Sequence, residues 1–163
     1  MLGFGRVGLL CIAFTCGGPA SAAAGVDTTA AIQRYCESLV AGTAAAQVGD
    51  IARKDGFTPE VANGQPFLRS GELLVALSDT PRVCFVQSPT ALTFEQGVAL
   101  VDTWAARHPG SVRSPATRGP DGAPVRGWNA PTQKMAIVMT QQRNGMGQNV
   151  MAFILMPLPS KGK

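Results

Sequence analysis

The sequence predicts an α+β domain, with one twisted antiparallel sheet of about five strands and helices packed on one of its faces. Apolar residues recur at helical spacing near the start and in the middle of the chain, and short apolar runs between them indicate strands. Every connection between the predicted strands is short enough for antiparallel pairing. The domain is expected at residues 25–158, with a secretory signal peptide at 1–22 and a flexible tail at 159–163.

The first 22 residues have the order of a cleavable secretory signal peptide. Arg6 supplies a positive charge, an apolar run of about 8 residues follows, and Ala20-Ser21-Ala22 places small side chains where a signal peptidase needs them. The run is far shorter than the ~20 residues that span a bilayer. We therefore expect export to the periplasm or the medium, without a transmembrane segment. Cys16 is a poor lipoprotein site, because Phe14 precedes it where a small residue is needed.

Two helices are predicted at the start of the exported domain. Asp27 is a suitable N-cap for the first, whose apolar stripe consists of Ile32, Tyr35, Cys36, Leu39 and Val40. Gly42 ends or bends this helix, and a second helix is predicted over Thr43–Lys54. Gly56 is placed to close the second helix in a left-handed conformation, with Phe57 folding back onto its last turn.

A loop and a β-hairpin are predicted to follow. Pro59–Ser70 is interpreted as a loop that includes the turn pair Asn63-Gly64. Glu72–Leu77 and Arg82–Gln87 are predicted to pair as strands across the turn Ser78–Pro81.

One disulfide is expected, between Cys36 and Cys84. The other two cysteines belong to the signal peptide, and a single pair in an exported chain should oxidise. The bond would close a loop of about 48 residues and tie the first helix to the sheet, which the chain-entropy treatment values at about 4 kcal/mol. Neither cysteine has the C-x-x-C spacing of a thioredoxin-type redox site.

A third helix is predicted in the middle of the chain. Thr93 and Gln96 have capping-box spacing at its start, and it runs to about Arg107 before Pro109-Gly110 stops it. His108, the only histidine, is expected to be a solvent-exposed residue at the helix end. A lone histidine without a cysteine cluster does not suit a zinc site.

The last part of the domain is predicted to be β-structure. Ser111–Gln133 is interpreted as a long hairpin or flap with Val112 and Val125–Trp128 in its arms. Met135–Gln141 and Asn149–Met156 are predicted to pair as a second hairpin around a glycine-containing turn.

Charge is distributed unevenly along the exported domain. Residues 25–106 contain five basic and nine acidic residues, whereas residues 107–163 contain eight basic residues and one acidic residue, Asp121. A basic face could therefore meet lipid headgroups, an envelope polymer or an acidic protein, unless the two halves simply neutralise each other. Nucleic acid is not expected as a partner, because export separates the protein from it and no nucleic-acid-binding motif is present.

Trp128 and four arginines are the candidate binding residues. Trp128 lies beside Arg126 and Gly127, and an aromatic residue in such a loop is typical of a partner contact. The alternative is that its indole caps the core. The arginines that could surround it are Arg113, Arg118, Arg126 and Arg143. We therefore expect a non-enzymatic exported protein, without a cofactor or metal, that binds a partner protein or an anionic envelope component.

Two other functions stay open at this point. An envelope hydrolase could use carboxylates that the fold gathers, from among Glu72, Asp79, Glu95, Asp102 and Asp121. None of the common nucleophile, zinc-hydrolase or phosphate-loop motifs is present. Copper could be bound by the C-terminal methionines, which also suit an apolar core: Met135, Met139, Met146, Met151 and Met156.

Overall fold

The computed structural model describes residues 27–62, 64–119 and 122–158. The predicted signal peptide, the predicted tail and Asp121 lie outside these ranges. Within them, the chain forms one nine-stranded antiparallel sheet and three helices. The α+β class and the antiparallel sheet are confirmed, and the sheet has more strands than the five or so predicted.

The three helices form where the sequence predicts them. Their segments are Thr28–Ala31 (α1), a π-helical turn at Ile32–Cys36, Glu37–Ala41 (α2), Ala45–Lys54 (α3) and Phe94–Ala106 (α4). The first helix runs through α1, the π-helical turn and α2, and Asp27 caps its start. The N–H groups of Gly56 and Phe57 return to carbonyls of α3, and Gly56 takes the predicted left-handed conformation. Thr93 and Gln96 form the predicted capping box before α4.

The sheet joins both halves of the chain. Its strands are Thr58–Ala62 (β1), Gln65–Ser70 (β2), Leu73–Asp79 (β3), Arg82–Gln87 (β4), Val112–Arg113 (β5), Thr117–Arg118 (β6), Pro124–Ala130 (β7), Met135–Arg143 (β8) and Asn149–Pro157 (β9). Their order is β1-β2-β3-β4-β9-β8-β7-β5, and β6 also pairs with β7. The β3–β4 and β8–β9 hairpins are the two predicted ones. The pairing of β4 with β9 connects the early hairpin to the late one.

The segment predicted to be a loop at Pro59–Ser70 is instead a β-hairpin. β1 and β2 pair from Thr58 opposite Arg69 to Ala62 opposite Gln65. β1 lies at the edge of the sheet, where one side of the backbone has no partner strand, so a proline is tolerated there. The loop interpretation was wrong for this reason. The predicted hairpin or flap at 111–133 contains three strands, and its predicted arms Val112 and Val125–Trp128 lie in β5 and β7.

The helices cover one face of the sheet. Successive side chains in a strand point to opposite faces, so the register assigns each residue to a face. Val75, Val86, Phe153 and Met139 lie opposite one another in a row across four strands, and each is at most 1% exposed. Tyr35 of the first helix and Trp104 of α4 belong to the same buried cluster. We call the opposite side of the sheet the helix-free face.

The predicted disulfide between Cys36 and Cys84 is present. It joins the end of the π-helical turn to β4, and both residues are buried in the core. In the described ranges, no helix is long and apolar enough to cross a membrane.

Candidate binding surfaces

The strand register brings the four predicted arginines to the same face of the sheet. They are Arg113 on β5, Arg118 on β6, Arg126 on β7 and Arg143 on β8. Arg126 lies opposite Met139, a core residue beneath α4, and Trp128 lies opposite Arg113. Because residues with an even spacing along a strand share a face, all four guanidinium groups project from the side that carries α4.

Three of these residues, Arg113, Arg118 and Arg126, lie along the β5–β7 edge, and Arg143 lies at the end of β8; the four together are here called the arginine strip. The β7 partners of Arg118 and Arg113 are Pro124 and Trp128, four residues apart. At about 3.3 Å per residue, Arg113 and Arg118 therefore start about 13 Å apart. Arg126 lies between them on the neighbouring strand and is half-buried, whereas the other three are exposed.

The arginine strip is not neutralised by ion pairs within the part of the chain that the structure describes. Arg113 lies 5.8 Å from the centre of the Trp128 ring. Arg118 donates to the Gly122 carbonyl at 2.8 Å, and Arg126 donates to the carbonyl of its neighbour Val125. Each of these contacts leaves guanidinium donors for an external anion.

Trp128 lies in strand β7, which contains the predicted hairpin arm Val125–Trp128, and not in the connecting loop. Its Nε1 donates to Asp102 Oδ1 of α4 at 2.8 Å, and its half-buried ring packs against the core. The indole therefore connects strand β7 to helix α4. This position resembles the alternative in which the indole caps the core. The Arg113 guanidinium lies over the Trp128 ring.

A second surface, absent from the sequence-based predictions, is a groove of about 900 Å³ on the helix-free face. Its floor is formed by alternate residues of β3, and its walls come from β2 and β4. The tip of the β8–β9 hairpin, residues 144–146, also borders it. We call it the β3 groove; its floor and wall residues include Phe67, Arg69, Leu74, Ala76, Ser78, Val83, Phe85 and Gln87.

The wall formed by β2 was missed because its residues fall in the segment interpreted as a loop. The available signal was the pair Asn63-Gly64, which is typical of a tight β-hairpin when strand-like residues flank it. Phe67 and Arg69 alternate with Leu68, the buried residue of β2. That alternation would have placed both side chains on one face.

The carboxylates considered for a hydrolase have separate structural contacts. Glu72 accepts hydrogen bonds from the backbone and side chain of Thr90, and these bonds lower the pKa of Glu72 below its ordinary value. Asp79 accepts from the first N–H of α3, Asp102 holds Trp128, and Glu95 is exposed on α4. Neither the β3 groove nor a groove of about 450 Å³ beside α3 is lined by two carboxylates.

His108 is buried, so the prediction of a solvent-exposed residue was wrong. Its ring lies 4.2 Å from the Trp104 ring, and Nδ1 is 2.7 Å from the Trp104 carbonyl oxygen. Side chains in a helix point back over the preceding turn, which directs His108 onto α4. Its Nε2 faces Glu37 at 3.7 Å, so the residue connects α4 to the first helix.

The described residues contain no cluster of three or more histidine, cysteine or acidic side chains that could hold a metal ion.

The five C-terminal methionines do not gather at one point. Met135, Met139 and Met151 are buried on the helix-bearing face. Met156 lies on the helix-free face, and Met146 is 79% exposed at the hairpin tip. Met139 and Met151 fill space beneath Gly97 of α4, as methionine commonly does in cores.

Comparisons with known proteins assign no family to this chain. No protein-family model, curated protein or solved structure matches it.

Proposed function

We propose that this protein is an exported, non-enzymatic binding protein whose arginine strip holds an anionic component of the cell envelope. The observation that carries the proposal is the register that places four arginines on one face, without an ion-paired carboxylate among the described residues. Guanidinium groups bind phosphate and carboxylate through paired hydrogen bonds. A row of them favours a ligand with repeated negative charges.

Export is the second element of the proposal. It is supported by the order of charged, apolar and small residues at 1–22 and by the Cys36–Cys84 disulfide. Disulfides persist in oxidising compartments such as the periplasm and the extracellular medium. Anionic polymers and lipid headgroups are the abundant charged partners there.

An anionic envelope component suits the arginine strip better than a folded protein partner does. Protein interfaces are centred on aromatic or arginine side chains that become fully desolvated. The nearest aromatic residue, Trp128, is already packed against the core and hydrogen-bonded to Asp102. The exposed Arg113 and Arg118 start about 13 Å apart, Arg143 lies farther along, and all three would act through charge rather than through packing.

Binding to immobilised dextran sulfate, a polymer with repeated anionic groups, tests the proposal. The Arg118→Gln/Arg143→Gln variant removes two exposed charges from the arginine strip. Arg53→Gln/Lys54→Gln makes the same change in net charge on α3, where Arg53 is paired with Asp50, and serves as the control. Exposed ion pairs contribute about 0.5–1 kcal/mol each, so the loss of two should weaken binding about five- to thirtyfold. Trp128 is left unchanged because its loss would also break the contact with Asp102.

The two variants together decide the result. The strip variant should elute at lower salt than the native protein, and the control should elute with the native protein. Equal weakening in both variants would show that net charge, rather than the arginine strip, is responsible. Failure of the native protein to bind at low salt would refute the proposal, because exposed charges act most strongly there.

A further inference from the structure

The β3 groove lies on the opposite face of the sheet from the arginine strip, so the proposed function does not use it. It has the volume of a small-molecule site and is lined mainly by apolar groups with a few polar ones. We infer that it binds a medium-chain anionic amphiphile of the fatty-acid type, with the alkyl chain along β3 and the carboxylate beside Arg69.

The shape of the floor suits a narrow chain. Ala76 lies opposite Phe85 of β4, and Phe67 of β2 stands on its other side. A small side chain between two phenyl rings leaves a trough along the strand. From Leu74 to Ser78 this trough is about 13 Å long at 3.3 Å per residue.

An alkyl chain suits this floor better than an extended peptide. The backbone of β3 is paired with β2 on one side and β4 on the other, so a peptide cannot be added to it as a further strand. Peptide amides laid over Leu74, Ala76 and Phe85 would lose water without gaining partners, which is unfavourable. Methylene groups carry no such penalty, and their burial is favourable.

The charges define the orientation of the ligand. Arg69 is the one charged residue among the described residues that line the β3 groove. It lies opposite Leu74 of β3, and Leu74 lies opposite Gln87 of β4. Arg69 and Gln87 therefore flank the same end of the trough. A carboxylate at this end can accept hydrogen bonds from both, while the alkyl chain extends towards Ser78.

Arg69 has donors available for this contact. Its Nε donates to Glu60 Oε2 at 2.8 Å, and its guanidinium lies 5.5 Å from the centre of the Phe67 ring. Its terminal nitrogens make no hydrogen bond within the described residues, and its side chain is 38% exposed. Glu60 orients the guanidinium but also opposes an incoming anion, so the two residues should have opposite effects on affinity.

The exposed Met146 completes the site. It is 79% exposed on the hairpin tip that borders the β3 groove. An unbranched thioether side chain can adjust to an alkyl chain that lies beside it.

Isothermal titration of the native protein with decanoate, below its micelle concentration, tests the inference. One saturable site is expected. Ala76→Phe fills the trough and should weaken binding at least tenfold, whereas Ala99→Phe makes the same change at an exposed position of α4 and should leave binding unchanged. No saturable binding, or binding that survives Ala76→Phe, would overturn the inference.

The headgroup contact is tested separately. Arg69→Gln should weaken decanoate binding about fivefold through loss of a charge-assisted hydrogen bond, and Glu60→Gln should strengthen it. Neither change should alter the binding of decanol, which has the same chain without the charge. If Arg69→Gln and Glu60→Gln changed the affinities for decanoate and decanol equally, the assigned orientation would be overturned. The opposite changes in decanoate affinity expected for these two variants test the site even if Ala76→Phe does not fold.

Discussion

Removal of the Cys36–Cys84 disulfide is expected to lower the free energy of unfolding by about 4 kcal/mol. The two cysteines are separated by 48 residues along the chain. In the chain-entropy treatment, a cross-link over such a loop removes about 14 cal/mol/K from the unfolded chain, which is about 4 kcal/mol at 25 °C. With an unfolding entropy of about 2.1 cal/mol/K per residue, a domain spanning residues 27–158 should lose about 14 °C in Tm.

Two forms of the protein separate the cross-link from the packing of its sulfur atoms. The Cys36→Ala/Cys84→Ala variant lacks both the bond and the sulfurs, whereas the native sequence refolded under reducing conditions keeps the sulfurs. Because both cysteines are buried, the bond should resist a reductant until the domain unfolds, and reduction must be carried out in denaturant. Urea denaturation and thermal melting should then show similar decreases in the free energy of unfolding and in Tm for the two forms.

Two results would contradict the expected role of the disulfide. If the free energy of unfolding fell by less than about 1 kcal/mol in both forms, the cross-link would not restrict the unfolded chain as calculated. If the alanine variant alone were destabilised, the loss would belong to the cavity left by the sulfurs in the core. The mass of the intact native protein, before and after reduction, checks that the bond had formed.

Three further changes test other parts of the fold. Gly127→Ala would place a Cβ 2.8 Å from the Ile137 carbonyl oxygen and should cost about 1–3 kcal/mol in urea denaturation, while Gly145→Ala, with no atom within 4 Å, should stay within about 0.5 kcal/mol of the native protein. Thr93→Ala removes the cap of α4 and should cost about 1 kcal/mol; an unchanged urea midpoint would contradict the role of the capping box. Tyr35 is the only tyrosine in the chain. Its burial, and next its hydrogen bond to Asp55, raise its pKa above the ordinary 10.0. The native state therefore keeps this proton when the unfolded chain has lost it, so stability should fall as pH rises above 10.0. Phenolate absorbance of the native protein should titrate above that value, and a native midpoint near 10.0 would refute the assignment.

Local elements were predictable because their determining contacts are close in sequence. Thr93 and Gln96 exchange hydrogen bonds across three residues, and Gly56 closes α3 within its own last turn. The strand Arg82–Gln87 has the predicted bounds. In each case the spacing of side chains or the conformational freedom of one residue is sufficient to define the element.

The predictions failed at one segment whose strand pattern was missed and at side chains whose partners lie on another element. The partner of β2 is β3, the next strand along the chain, and the turn pair between β1 and β2 was the signal that was overlooked. His108 is buried because its ring lies against Trp104 and faces Glu37 of the first helix. The Trp128 indole meets Asp102, which is 26 residues away, and neither Glu37 nor Asp102 can be recognised from the residues next to its partner.

The amino-acid sequence alone was enough to establish the α+β class, the helix ends, two hairpins, the cysteine pair and the identity of the arginines. The tertiary structure decided that those arginines share one face and that β2, β3 and β4 enclose a groove on the other. The physical reason is the two-residue period of a strand: a shift of one residue in the pairing would move every side chain to the opposite face. Pairing register is defined by the backbone contacts between two strands and not by the residues of either strand alone, so it emerges only when the sheet is assembled.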